Sequence, residues 1–239
     1  MVQYTIETAI HTIQLQILTK LMKSPAEQRY SELMILGIEN DLFNYHLQQL
    51  VKTGLVNKNE ARYSLTEIGQ KSITHLDALG NPRDFFKVSV ALMVFRNDYS
   101  ELLIQKRLRN PFYGEVTTVA GKVLPGEKIV DAARRKLLEE ANLAATFVFV
   151  GVLRKIKRNP ELMIFEDVFY HYCVATDHVG VLAEKNEFGE NFWIPSSKFI
   201  EYEAKNIDSG DVDKEVGQRI INKNLESFYF EQDRIVTRY

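Results

Sequence analysis

The chain has 239 residues, 45% of them hydrophobic and 26% charged, a composition that excludes a disordered polymer and leaves apolar material for two cores. Its net charge is −2, and residues 1–80 hold seven Lys or Arg against eight Asp or Glu, so nucleic-acid binding cannot be argued from bulk charge. Cys173 is the single cysteine, which excludes an intramolecular disulfide, and no spanning apolar run or basic leader is present; these features predict a cytoplasmic protein without a membrane anchor.

Ile6, Ile10, Ile13, Ile17, Leu18 and Leu21 recur at helical spacing until Ser24-Pro25, predicting a first amphipathic helix. A short helix fits residues 30–34, and Gly37 breaks the chain before Asn40 or Asp41 caps a third helix. In that third helix Phe43, Leu47, Leu50 and Val51 share one face and leave Asn44, Tyr45, Gln48 and Lys52 on the wet one. His46 reads as a packed or capping histidine, because no second metal ligand sits one turn away. Residues 55–65 read as two short strands around a polar tip, and Thr66 starts a fourth helix.

Tyr45-His46-Leu47-Gln48-Gln49-Leu50-Val51-Lys52-Thr53-Gly54-Leu55-Val56, followed by Tyr63-Ser64-Leu65-Thr66-Glu67-Ile68-Gly69, resembles the recognition helix and wing of winged helix-turn-helix regulators. The resemblance implies a DNA-binding domain over 1–80. Base reading would fall to Asn44, Tyr45 and Gln48, and phosphate contact to Lys52, Lys58 and Arg62. A homodimer would double these contacts, and a protein-contact or dimerisation role for the same module stays open beside the DNA role.

The stretch 77–84, with a glycine and a proline after a helical pattern, reads as the joint to a second domain over 85–239. Residues 88–95 and 101–106 predict a hairpin, residues 147–153 and 167–175 predict further strands, and 127–141 and 213–225 predict helices. The whole is therefore expected to be an α+β protein, a winged helix followed by an α/β/α sandwich around a mixed sheet.

Gly121, Glu127, Arg135, Leu137, Glu139, Glu140 and Leu143 fall in one register across 23 residues. This register resembles the Nudix box, and it implies a nucleoside-diphosphate-type small-molecule partner and a Mg²⁺ or Mn²⁺ cofactor. The adjacent carboxylates Glu139 and Glu140 are the acids to hold a hard cation, and the resemblance adds the Ala120 carbonyl. Glu127, eight residues before Arg135, is placed to brace it across about two helical turns. By analogy with family placement, Arg107, Phe112 and Tyr113 join the ligand site, and Gly121 and Lys136 are counted with them.

Two positions depart from the pattern. Lys136 stands where the family places a glutamate, and from i−3 and i−4 its ammonium reaches both Glu139 and Glu140, so metal affinity is expected to fall. Asn142 replaces a glycine, and asparagine tolerates the left-handed helix end required there. Glu184, Glu187 and Glu190 precede Trp193, where the family often adds a catalytic acid; Glu187 is the candidate, and a solvated loop is its alternative. The basic run Arg154, Lys155, Lys157 and Arg158 reads either as a phosphate site or as a charged hairpin tip. Two functions follow: a ligand-responsive transcription regulator with hydrolysis weakened or lost, or an active Mg²⁺-dependent pyrophosphohydrolase whose first module recruits or dimerises it.

Overall fold

The computed structural model describes residues 10–24, 26–74, 86–109, 112–207 and 209–237. These fall into two units, 1–84 and 85–239.

In the first unit the buried stripe Ile13, Ile17, Leu18 and Leu21 makes one face of α1 (Thr12–Lys23). Ile6, counted into that stripe from the sequence, lies outside the described residues. His11 caps the helix: its Nδ1 accepts from the Ile13 amide at 3.2 Å, and Gln14 Oε1 accepts from the His11 amide at 3.3 Å. A short strand β1 (Gln28–Arg29), unpredicted because two residues carry no period, leads into α2 (Tyr30–Leu33) and α3 (Asn40–Lys52). The expected cap by Asn40 or Asp41 is corrected here. Glu39 holds the cap position without a side-chain hydrogen bond, and Asn40 Oδ1 instead accepts from the Tyr30 hydroxyl at 2.8 Å.

The hairpin of β2 (Val56–Asn59) and β3 (Arg62–Leu65) takes β1 as a third strand, in the order β1-β3-β2. The Thr66 hydroxyl then accepts from the Gly69 amide at 2.9 Å at the head of α4 (Glu67–Thr74). Ile17, Leu18, Leu33, Phe43 and Leu47 are fully buried in one cluster. Each contributes about 1.5–3 kcal/mol by leaving water.

The second unit opens with β4 (Lys87–Arg96), β5 (Glu101–Arg107), β6 (Val116–Thr117) and β7 (Val119–Lys122). It continues with α5 (Ile129–Ala141), β8 (Leu143–Ala144), β9 (Val148–Arg158), β10 (Ile164–Ala175), β11 (Val179–Gly180) and β12 (Gly189–Pro195). It closes with α6 (Phe199–Glu203), α7 (Asp211–Ile221) and β13 (Phe228–Ile235). The main sheet runs β12-β5-β4-β10-β9-β13, with β6 on β5 and β7 on β4. It is mixed, since β10 lies parallel to β4 and antiparallel to β9, while β13 is parallel to β9.

Strand alternation sends Val90, Leu92 and Val94 to the α5 side, against Ala133, Leu137 and Ala141. It sends Met93 and Phe95 to the other side, against Phe199, Val216 and Ile220. Helices thus cover both faces. Three boundaries differ from the sequence reading. The helix expected from 127 begins at Ile129, because Leu124-Pro125-Gly126 forms a turn with Gly126 at φ +81°. The helix expected over 213–225 is α7, Asp211–Ile221. The run Arg154 to Arg158 is the second half of β9, not a hairpin tip. Among the described residues no helix is long and apolar enough to cross a membrane.

Candidate functional site

α5 carries the chemistry of the box. Residues 135, 136, 139 and 140 fall one turn apart on its surface, so their side chains meet over the β5–β7 end of the sheet. The helix ends at Asn142 in the left-handed conformation, φ 54° and ψ 34°. Asn142 Nδ2 also donates to the Val181 carbonyl at 3.0 Å.

Glu127 and Arg135 form a two-pronged pair. Arg135 Nε donates to Glu127 Oε1 at 2.7 Å and Nη2 donates to Oε2 at 2.8 Å, while the Leu124 amide donates to Oε2 at 2.9 Å. These bonds, Arg135 foremost, hold the Glu127 carboxyl down at about 2. The guanidinium is pushed above its usual range by the same partner. Arg135 Nη1 also reaches both oxygens of Glu139 at 3.2 Å, and Nη2 donates to the Lys122 carbonyl at 3.0 Å.

Lys136 fills the centre. It is 7% exposed, and its Nζ lies 2.5 Å from Glu140 Oε1 and 3.1 Å from Glu139 Oε2. Its stem crosses Gly121, where a Cβ would sit 2.1 Å from Lys136 Cε, so the glycine leaves room for the lysine. Glu140 is 1% exposed, and Gln105 Nε2 donates to its second oxygen at 3.3 Å. Arg109 Nη2 stands 3.6 Å from Glu140 Oε1. Phe188 lies against both cations, its ring centroid 5.1 Å from Lys136 Nζ and 4.7 Å from Arg109 Cζ. Burial pushes the Glu139 carboxyl up, but hydrogen bonds from Lys136 and Arg135 outweigh it and the net movement is down.

These residues do not fit a divalent cation. Such an ion takes about six oxygen ligands, one or two of them from carboxylates that must be free of other cations. Here three acids, Glu127, Glu139 and Glu140, already meet three cations, Arg109, Arg135 and Lys136. Among the described residues no group of three His, Cys, Asp or Glu is placed to hold a metal. Glu187, the expected extra acid, is exposed on the bend before β12, and Glu190 pairs with Lys185 at 2.8 Å. That loop meets α5 through Phe188 and through Asn186, whose Nδ2 donates to the Glu140 carbonyl at 2.7 Å. Asn191 Nδ2 donates to the same carbonyl at 2.6 Å. What the arrangement offers chemically is an ammonium and a guanidinium beside one another, suited to phosphate oxygens.

Arg107 and Phe112 line a separate cavity of about 120 Å³ on the α6/α7 side of the sheet, and Ala120 lines it too, opposite Ala91 on β4. Tyr113 is exposed. The cavity takes the buried half of the basic run: Lys155 Nζ lies 3.0 Å from Asp213 Oδ1, and Lys157 Nζ lies 2.5 Å from Glu166 Oε2 and 4.5 Å from the Phe112 ring centroid. Arg154 and Arg158 point the other way, to Asp167 at 2.8 Å and Asp233 at 2.9 Å. Burial pushes the Glu166 carboxyl up, yet Lys157 and Lys87 outweigh it and hold it below its usual range.

In the first unit Asn44, Tyr45, Gln48 and Lys52 share the exposed face of α3, with Gln48 Nε2 donating to Asn44 Oδ1 at 3.2 Å. Lys58 and Arg62 are exposed on β2 and β3; Arg62 Nη1 donates to the Glu27 carbonyl at 3.2 Å. His46 is buried, its ring stacked on that of His11 at 4.2 Å. Sequence reasoning missed Gln105, Arg109, Phe188 and Asn191, which no local pattern marks.

The family description NUDIX domain matches residues 85–214. No curated protein matches the chain. Among solved structures, a MutT protein from Bacillus halodurans is 17% identical, aligned over 61% of this chain and 91% of its own, with a TM-score of 0.49. A NUDIX hydrolase from Nitrosomonas europaea is 15% identical over 75% of this chain and 93% of its own, TM-score 0.44. The NUDIX domain of Shewanella oneidensis NrtR, complexed with ADP ribose, is 15% identical over 57% and 88%, TM-score 0.44.

Proposed function

The chain belongs to the NUDIX domain family, and on that premise we propose that residues 85–239 bind a nucleoside-diphosphate-linked small molecule with hydrolysis weakened or lost, and that occupancy biases DNA binding by a winged-helix unit in residues 1–84. The observation that carries this reading is the Lys136 ammonium, 2.5 Å from Glu140 and 3.1 Å from Glu139. It neutralises the two acids that a Mg²⁺ or Mn²⁺ ion would need, while Arg109 beside it, its side chain 47% exposed, offers a guanidinium that a diphosphate can meet. An active pyrophosphohydrolase would need Glu139 and Glu140 released to hold that ion, whereas Lys136 engages both.

The DNA half of the reading is supported by the exposed amide and phenol groups of Asn44, Tyr45 and Gln48 on one helix face, which suit base edges. A homodimer would double the phosphate contacts that one near-neutral unit can make. Coupling between sites requires that ligand and DNA each shift the other's affinity by one factor.

The test incubates the protein with Mg²⁺ or Mn²⁺ and a panel of dinucleotides, nucleotide sugars and nucleoside triphosphates. Binding without turnover is expected. Turnover at ordinary enzyme rates, about 1–10³ s⁻¹, overturns the reading. Titration of promoter fragments at two salt concentrations, with and without ADP-ribose, checks the coupling.

A further inference from the structure

α5 covers only part of its own side of the main sheet. It packs on Val90, Leu92 and Val94 of β4, whereas Val88, two residues earlier on the same side, is exposed. Among the described residues that side of β9 and β13 is open as well. β9 alternates half-buried Val152, Arg154 and Ile156 with buried Leu153, Lys155 and Lys157, and β13 leaves Tyr229 and Ile235 exposed. A sheet face of this kind is stable when another layer lies on it.

The strand register lines the open side chains up. Val88, Phe169, Arg154 and Glu231 lie abreast across β4, β10, β9 and β13, and Val90, His171, Val152 and Tyr229 form the next row. Phe86 stands edge-on to Phe169, ring centroids 5.5 Å apart, and Phe149 is 5.9 Å from His171. The charges on this face are matched within it: Arg154 pairs with Asp167 at 2.8 Å and Glu231 at 3.2 Å, and Arg158 pairs with Asp233 at 2.9 Å. A nucleic acid or a highly charged protein gains little from such a face, because it offers no field of either sign. A second copy brings the same apolar rows and the same matched charges, and a twofold axis sets the two faces against each other.

The area decides in the same direction. Phe86, Phe149 and Tyr229 are 60%, 42% and 57% exposed and leave about 300 Å² of ring surface in water. That alone reaches the scale of the largest apolar patch on a typical monomer, about 300–600 Å². With the valines, isoleucines and paired charges between the rings, the face comes to on the order of 800 Å², the area that each partner of a standard interface buries.

We propose that this open face of β4, β10, β9 and β13 is the interface of a homodimer, two sheets packed face to face. Dimerisation here does not depend on which ligand residues 85–239 take or on what residues 1–84 bind. Sedimentation velocity of the full chain tests it, and the unaltered protein should run as a dimer at about 10 μM. Tyr229→Asp and Phe149→Asp each place an unpaired charge in the interface and should raise the dimer dissociation constant at least about 100-fold. Both side chains are exposed in the single chain, so each variant should keep its circular-dichroism spectrum as a monomer. Tyr229→Phe retains the ring and should remain dimeric. A chain that is monomeric at every concentration, or a dimer that survives both aspartate substitutions, overturns the assignment.

Discussion

Lys136 Nζ sits 2.5 Å from Glu140 Oε1, with the lysine 7% and the glutamate 1% exposed, so each charge is buried against the other. Removing the lysine leaves the buried carboxylate only Gln105 at 3.3 Å and Arg109 at 3.6 Å. Lys136→Met, which keeps most of the stem that crosses Gly121, is expected to lower unfolding free energy by about 3–5 kcal/mol. Chemical denaturation measures it; a loss below about 1 kcal/mol would mean that the pair is open to water.

The Glu127 and Arg135 pair gives a pH prediction. Its carboxyl falls from an ordinary 4.5 to about 2 in the folded state, so the unfolded chain binds the proton more readily. The pair's contribution is complete above about pH 4.5 and is lost as pH falls towards 2. Glu127→Gln should cost about 1–2 kcal/mol at pH 7, discounted for solvent at a partly open pair, and progressively less below pH 4.5. A cost that stays constant down to pH 3 would contradict the assignment.

His46 sets an opposite environment. Burial, then the neighbouring His11 ring, lowers its pKa below the ordinary 6.5, so the unfolded chain again binds the proton more readily. Stability from this group is complete above pH 6.5 and falls as pH drops through that value. His46→Phe should flatten the melting temperature of the first unit between pH 7 and 5, as read by scanning calorimetry. An unchanged slope contradicts the prediction.

Much of the site was legible in the sequence because it is local. The register of Glu127, Arg135, Glu139 and Glu140 fixes contacts within two helical turns, and the structure shows the Glu127–Arg135 brace and the reach of Lys136 to both acids. The left-handed Asn142 was legible for the same reason. What closes the site was not. Gln105 is 35 residues from Glu140 along the chain, and Asn191 is 51. The sheet brings them together, and nothing near either residue announces it. The basic run misled because Lys155 and Lys157, buried with acids, broke the apolar alternation by which a strand is read. β13 was missed likewise, since Glu231, Gln232, Asp233 and Arg234 interrupt its apolar residues.

Asn142 itself is testable. Asn142→Gly should be neutral or stabilising by up to about 1 kcal/mol, and Asn142→Ala should destabilise by about 1 kcal/mol, because the backbone is left-handed at φ 54°. Equal stability of the two variants contradicts this.

On the proposed reading of the first unit, Gln48→Ala and Tyr45→Ala remove exposed groups and should leave the fold intact while weakening specific DNA binding by about 1–3 kcal/mol each. Lys58→Ala should weaken binding evenly across sequences and reduce the salt slope by about 1. Full retention of affinity in all three moves the DNA contact elsewhere or removes it.

The most direct measurement compares the melting temperature of the unaltered protein and of Lys136→Glu, each in EDTA and in millimolar Mn²⁺. With an ammonium already seated between Glu139 and Glu140, the unaltered protein should show no shift, whereas Lys136→Glu should melt low in EDTA and recover with the metal. A rise on adding Mn²⁺ in the unaltered protein as large as that in the variant would show that lysine and metal do not compete.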